Sequence, residues 1–316
     1  KVVKPIIEDE FTHRGFDIDK YRLGHSYERV MPGPEYIDSI REFPRVYSGC
    51  SKASADSVEN FLKTIIDTSV CELTRLEHTN ATEMAKVLEN SYRAMNIAFA
   101  VEWSRFAEEA GVDLYAMVNA IRIRKTHSNL MYPGIGVGGY CLTKDPLLAS
   151  WSRKTFFGSD SDLRMSINSV SINDQMPIFA FSRLIQEFGN LKDKKVTFLG
   201  VSYRGDVGDT RFTPVETLVN KVIEAGAAIK LHDPFVSFWE ERKCQIESNI
   251  QNVLDSKPDL VIISTGHSEY KSSEVVLKLL EMEQTYIYDT IGLLNNEQIS
   301  LLQEKHEISV LGRGDL

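Results

Sequence analysis

The spacing of apolar and polar positions divides the 316 residues into three stretches. Up to about residue 78 the periods are mixed. "KVVKPIIEDE" (Lys1–Glu10) reads as helix, and "PRVYSG" as a short β-rich run ended by Gly49. "SADSVENFLKTII" repeats apolar residues at helical spacing (Val58, Phe61, Leu62, Ile65), and "SVCELT" returns to strand character. This pattern suits the closing half of an α/β unit. A long helix follows, with Asn80 and Glu83 as a capping box and Gly111 as the stop. Between them Met84, Leu88, Tyr92, Met95, Phe99, Trp103, Phe106 and Ala110 form one apolar stripe. At 1.5 Å per residue this is a rod of roughly 45 Å. So long a stripe predicts packing on another helix, from a second subunit. A second helical stretch, "DLRMSINSVSINDQMPIFAFSRLIQEFGN", should begin or kink at Pro177.

From about Lys192 the pattern changes. "KKVTFLGV", "AAIKLHD", "DLVIIST", "TYIYD" and "ISVLG" are short apolar runs rich in β-branched residues, with helical stretches between them. That alternation predicts βαβ units and a doubly wound parallel sheet. Its first crossover helix has Thr213 as N-cap, Pro214 in the first turn, Glu216 three on and Gly226 at the end. The expected organisation is residues 1–78 as part of a Rossmann-like unit, 79–190 as a central long-helix region and 191–316 as a C-terminal α/β domain. There are no repeats.

Composition narrows the class. The chain is 42% hydrophobic and 26% charged, ordinary for a globular protein, and its net charge of −9 argues against nucleic acid as a partner. No apolar stretch approaches a membrane span. Cys50, Cys71, Cys141 and Cys244 lack CxxC spacing, and the seven histidines form no HxxxH or His/Cys cluster, so neither a metal site nor a disulfide framework is expected. Reduced thiols in the cytoplasm are the simplest reading. The chain opens without Met, signal peptide or leading strand, and reads as entered midway through a domain.

Four places carry candidate chemistry. In "GIGVGGYCLTKDP" (Gly134–Pro146), glycines let the backbone approach a ligand, Lys144 would hold a thiolate at Cys141, and Asp145 would orient the Lys or a water. A Gly-rich turn with Cys141 as apolar filler is the competing reading. Lys86 and Asn90, four apart, share one helix face, either a solvated face or a site. "LGVSYRGDVGDTRFTP" joins the first strand of the last domain to its first helix, where α/β folds bind phosphates. It does not spell GxGxxG, but Arg204 and Arg211 suit a diphosphate, and Asp233 stands where Rossmann sites read a ribose. An Arg–Asp network that only orders the loop is the alternative. Last, Glu28 and Arg29 in "GHSYERVMPG" are either a surface pair or a site loop.

Together these motifs resemble the nucleotide-sugar 6-dehydrogenase family, which includes the UDP-glucose, GDP-mannose and UDP-N-acetylhexosamine enzymes. "GVGGYCLTKDP" resembles its catalytic-cysteine motif, and "EMAKVLENSYRAMNIAFAVE" its central helix. "GVSYRGDVGDTRFTP" and "STGHSEY" resemble its C-terminal domain, and "ERVMPG" its Pro-Glu segment, with Tyr27 where Pro is usual. The family's GxGxxG loop for NAD has no counterpart here, so the stretch given is expected not to turn over alone.

The resemblance implies two oxidations of a sugar alcohol to a carboxylate with two NAD⁺. Cys141 would add to the intermediate aldehyde, and the thioester formed after hydride loss would be hydrolysed. It implies Lys86 as oxyanion stabiliser, Asn90 and Asp145 holding a water, Lys86 or Asp145 steering its protons, and Glu28 helping hydrolysis. The substrate-contacting set it implies is Arg29, Tyr132, Gly134, Gly138, Gly139, Lys144, Tyr203, Arg204 and Arg211, with Arg211 also a candidate for the cofactor. It further implies a homodimer through the central helix. Thr143, where glucose enzymes often carry Pro, and the "GVGG" form lean toward UDP-N-acetylhexosamines such as UDP-N-acetylmannosamine. UDP-glucose oxidation, a non-catalytic UDP-sugar-binding fragment and a purely structural helical dimer are the competing functions.

Overall fold

The computed structural model describes residues 1–31, 33 and 35–316. Contacts group Lys1–Asn90 with Leu148–Asp162 in one unit, and Ser91–Leu147 with Leu163–Leu316 in another.

In the first unit the helical and strand periods fall where the sequence puts them, except that "SVCELT" is turn and loop as far as Glu72 and strand only from Leu73. Its elements are α1 (Val3–His13), β1 (Gly24–Ser26), α2 (Tyr36–Arg41), β2 (Arg45–Gly49), α3 (Lys52–Leu62) and β3 (Leu73–Arg75). The sheet order is β1-β2-β3, with β1 antiparallel and β3 parallel to β2. Ser51 caps α3 by accepting the Ser54 N–H at 3.1 Å. A Cβ on Gly49 would lie 2.2 Å from the Ala55 nitrogen, so glycine is what lets the strand end meet the helix. Tyr47, Leu62, Ile66 and Cys71 form a small core.

The long helix α4 (Thr79–Ala110) starts one residue before the expected cap and belongs to both units, divided after Asn90. Its predicted stripe is not an internal core. Met84, Leu88, Tyr92, Phe99, Trp103 and Phe106 are exposed, whereas Ala94, Ala98, Val101 and Ala107 are buried. Small residues let α4 lie close to its own unit, where Val101 shares a core with Met176, Ala180 and Leu184. Big apolar side chains are thereby left on the outer face.

After α5 (Leu114–Arg122) and α6 (Cys141–Phe157), the helix α7 (Arg164–Phe188) continues past Pro177. That proline neither begins nor ends a segment. It has no N–H for the carbonyl of Asn173, and a Cβ on Gly136 would come within 2.8 Å of that oxygen.

Each of the five late apolar runs is a strand. They are β4 (Lys195–Leu199), β5 (Ala228–His232), β8 (Leu260–Ile263), β9 (Tyr286–Asp289) and β10 (Glu307–Val310), all parallel, in the order β10-β9-β8-β4-β5. Helices α8 (Val215–Glu224), α9 (Ile250–Leu254), α10 (Ser273–Glu281) and α11 (Asn296–Gln303) connect them, and a small ribbon, β6 (Phe238–Trp239) with β7 (Cys244–Gln245), follows β5. Pro214 rather than Thr213 is the cap residue of α8, although the Thr213 hydroxyl still accepts the Val215 N–H at 3.3 Å. Gly226 ends that helix at φ +90°, as expected. The order reverses on either side of β4, the first strand, and puts the loops after β4 and β8 side by side. Among the described residues no helix is long and apolar enough to cross a membrane.

Candidate active site

Cys141 is the first residue of α6 and is exposed. Asp145, one turn on, is buried, and its carboxylate pairs with the Lys144 ammonium at 2.7 Å. That hydrogen bond to Asp145 holds the Lys144 pKa above its usual value against partial burial.

The glycines before Cys141 are occupied by the protein itself. A Cβ on Gly138 would sit 2.4 Å from the Tyr203 Cβ, and one on Gly139 2.9 Å from the Tyr203 ring. The Gly139 N–H donates to the Arg211 carbonyl at 3.0 Å. These glycines dock the loop that bears Cys141 onto the loop after β4. Burial there pushes the Tyr203 phenol up. Tyr132 lies at the far end of the loop, where its hydroxyl donates to Asn119 Oδ1 at 2.5 Å and its ring stacks on Tyr115. Gly134 has open space, with only Ile291 at van der Waals distance. A cavity of about 460 Å³ borders Tyr140, Lys144, Asp174, Phe212 and Glu216. Desolvation raises the pKa of Asp174.

Arg211 is exposed and bound to Asp209, Nε to Oδ1 at 2.9 Å and the guanidinium to Oδ2 at 2.6 Å. This pairing raises the Arg211 pKa and lowers that of Asp209. Arg204 is half-buried on the same loop.

Asp233 departs from its sequence reading. It is fully buried, and the protein itself supplies its partners. Its carboxylate accepts the N–H groups of Val201, Ser202 and Phe235 at 2.9, 3.1 and 2.9 Å, the Ser202 hydroxyl at 3.0 Å and His267 Nε2 at 3.0 Å. Burial alone would raise its pKa, but the His267 contact and these donors outweigh it and leave the pKa below the usual value. The Asp206 N–H donates to His267 Nδ1 at 2.9 Å, which makes Nε2 the protonated nitrogen of a neutral ring. Asp206 in turn accepts the Ser268 N–H at 2.8 Å, and Thr265 Oγ1 donates to the Ser202 carbonyl at 2.7 Å. The loops after β4 and β8 are thus tied into one body.

In the first unit the structure brings two distant motifs together. Lys86 Nζ donates to the Glu28 carbonyl at 3.0 Å and lies 5.8 Å from the Tyr27 ring centre. The Glu28 carboxylate accepts the Val30 N–H. Arg29 is pinned by Glu89 at 3.1 Å, by the Pro44 carbonyl at 2.8 Å and by the Tyr27 hydroxyl at 2.9 Å. Tyr27 is therefore the residue that sequence reasoning noted only as a departure. Pro32 of the "ERVMPG" segment lies outside the described residues. Asn90 is half-buried one turn beyond Lys86 on α4. Near the carboxyl ends of β2 and β3, a cavity of about 570 Å³ is bordered by Gly49, Ser51, Lys52, Arg75 and His78, with Lys1 and Lys4. Cations beside the N-terminus of α3 suit a phosphate-bearing group.

Two regions of the chain match sequence models of the UDP-glucose/GDP-mannose dehydrogenase family, residues 80–174 its central domain and residues 197–296 its UDP binding domain. The UDP-N-acetyl-D-mannosamine dehydrogenase of Methanococcus vannielii is 30% identical over 326 residues, covering 99% of this chain and 70% of that protein. The chain belongs to the UDP-glucose/GDP-mannose dehydrogenase family. The Methanocaldococcus jannaschii enzyme of the same name is also 30% identical, over 94% of this chain and 65% of its own length. The chain thus spans about two-thirds of the relatives it matches. This family member also shares its fold with NDP-N-acetyl-D-galactosaminuronic acid dehydrogenase from Methanosarcina mazei Go1, at a TM-score of 0.83 and 24% identity over 99% of this chain and 67% of that one.

Proposed function

We propose that this chain carries the reactive-cysteine and nucleotide-sugar-binding parts of a NAD-dependent UDP-sugar 6-dehydrogenase, with UDP-N-acetylmannosamine as substrate. The observation that supports this most is the pair of relatives named UDP-N-acetyl-D-mannosamine dehydrogenase, which match over 99% and 94% of this chain. Residues 1–78 would belong to the cofactor domain, 79–190 to the central domain and 191–316 to the domain that holds UDP.

The cofactor, when bound, accepts hydride in each oxidation. On this chain Ser51, Lys52, Arg75 and His78 would face its phosphates, and Arg211 is a further candidate. The other steps belong to protein side chains. The Cys141 thiolate adds to the C6 aldehyde, forming a C–S bond, and the carbonyl oxygen takes the negative charge. Lys86 offsets that charge as it develops. Once oxidised, the adduct is a thioester. Asn90 and Asp145 hold the water that attacks it, Glu28 assists, and the C–S bond breaks to release carboxylate and regenerate the thiolate. Lys144, paired with Asp145, keeps that carboxylate in place. Tyr203, Arg204, Arg211 and the Gly134–Gly139 loop would bind the nucleotide-sugar, with Arg29 and Tyr132 at its margins. Cys141 is exposed and all four cysteines are free, which suits a reducing cytoplasm.

A coupled NADH assay of the full-length protein against a panel of UDP-sugars tests the substrate, with UDP-glucose as the alternative. Cys141→Ser should stop carboxylate formation by more than about 10³-fold. Wild-type carboxylate yield from that variant rejects the mechanism.

The exposed face of α4, including Phe99, Trp103 and Phe106, would pair with a second copy. The contiguous rings at 5.9 Å spacing are a large apolar surface to leave in water. Trp103→Glu should shift light scattering from dimer to monomer, and a wild-type monomer at micromolar concentration excludes the pairing.

A further inference from the structure

Phe212 has φ +53°, in the left-handed region. The other non-glycine residues described there are Asp193, Asp206, Lys243 and Lys257, none of them aromatic. A left-handed backbone is a strained state for a bulky side chain, and aspartate relieves it by local hydrogen bonding where phenylalanine has no such means. Burial does not compensate, because Phe212 is 58% exposed. Glycine would make the same turn without strain. What phenylalanine adds is a ring, and the aromatic ring it meets is Tyr140, edge-on, with centroids 5.2 Å apart and planes at 79°.

Tyr140 immediately precedes Cys141. The backbone of the same turn reaches the residues before it. The Arg211 carbonyl accepts the Gly139 N–H at 3.0 Å, and the Phe212 carbonyl lies 2.8 Å from where a Cβ on Gly138 would be. Two consecutive residues thus hold Gly138, Gly139 and Tyr140 in succession, by a carbonyl contact, a hydrogen bond and a ring. Strain kept at an exposed position, beside an exposed thiol, points to function rather than to packing.

We propose that Phe212 is a positioning residue, whose strained turn sets an aromatic latch on Tyr140 that fixes the first turn of α6 and the direction from which Cys141 is reached. The inference rests on the reading of Cys141 as the nucleophile, but its first test does not need turnover. Alkylation of Cys141 by iodoacetamide, followed at the Cys141 peptide by mass spectrometry, should be about three- to ten-fold faster in Phe212→Gly, because the thiol loses its fixed approach. Melting temperature should stay level or rise as the strain is relieved. Phe212→Tyr keeps the ring and should behave as wild type. In the full-length protein, kcat for carboxylate formation should fall about ten-fold in Phe212→Gly while KM for the UDP-sugar stays within about two-fold.

Should Phe212→Gly fail to fold, Phe212→Ala, which keeps the strained turn and lacks the ring, is expected to show the same acceleration. A wild-type alkylation rate in whichever ring-less variant folds overturns the latch. Full carboxylate yield from Cys141→Ser would instead remove the nucleophile, while a faster alkylation in Phe212→Gly would still establish the contact.

Discussion

Two sets of loops in the larger unit are glycine-rich and closely packed, yet they treat their polar groups in opposite ways. Behind the carboxyl ends of β4, β5 and β8, Asp233 and His267 are both 0% exposed and fully engaged by neighbouring donors and acceptors. In the first turn of α6, Cys141 and Lys144 stand at the surface, and Asp145 is drawn inside. A group whose partners are all supplied by the fold has no capacity left for a substrate and acts as a strut. A reactive group needs a rigid mounting and an open side. The loop after β4 provides the mounting, since it is locked to the β8 loop beneath and grips Gly138 and Gly139 above.

This contrast predicts that damage to the two regions appears in different measurements. On the site side, Cys141→Ser removes carboxylate formation yet should change unfolding free energy by no more than about 0.5 kcal/mol, as for other surface substitutions. On the strut side, Asp233→Ala leaves His267 and the surrounding N–H groups buried without their acceptor. Each buried donor left unsatisfied costs roughly 1–3 kcal/mol, so the loss of several should cost at least about 3 kcal/mol in urea unfolding.

The pH dependence follows from the lowered pKa of Asp233. A carboxyl whose folded pKa lies below its unfolded value contributes stability above the unfolded value, near 4, and loses it as pH falls through the folded value. The gap between wild type and Asp233→Ala should therefore be widest at neutral pH and narrow in acid. A variant with wild-type stability at pH 7 would break the contrast at its root.

The C-terminal sheet was legible because its inner strands β4, β8 and β9 are buried and read as apolar runs such as "LVII". The stripe on α4 was legible as periodicity but not as burial. Helical spacing shows which residues share a face, not whether that face meets the chain's own core. Only the run of small residues at Ala94, Ala98 and Ala107 marks the inner side. Asp233 was misread for a similar reason. Its position after the second strand suits a ribose, but His267 lies 34 residues away in sequence, and no local pattern shows that the two meet. Phe212 left no sequence signal, since backbone strain is visible only as a dihedral angle.

The smallest expected effect concerns Arg211, where mounting and site meet in one residue. Its carbonyl belongs to the mounting, through Gly139, and its side chain to the proposed site. Alanine removes only the second. A charge-assisted contact with a phosphate is worth roughly 1.5–3 kcal/mol. The Arg211 guanidinium is already held by Asp209, at 2.6 Å, so binding phosphate shares or displaces an existing partner. Arg211→Ala should thus weaken UDP binding by about ten-fold, near the low end of that range. The substitution also leaves the Asp209 carboxylate unpaired beside the ligand, which adds repulsion. Asp209→Asn in the same chain should recover part of the lost affinity, and a double-mutant cycle separates the two contributions. Alkylation of Cys141 should change less in Arg211→Ala than in Phe212→Gly, because the grip on Gly139 is made by backbone and the side chain reaches this turn only through its guanidinium, 5.8 Å from the Tyr140 ring centre. Calorimetry that gives Arg211→Ala the wild-type Kd for UDP would move the nucleotide away from this loop. Alkylation as fast as in Phe212→Gly would show that the side chain, too, is part of the mounting.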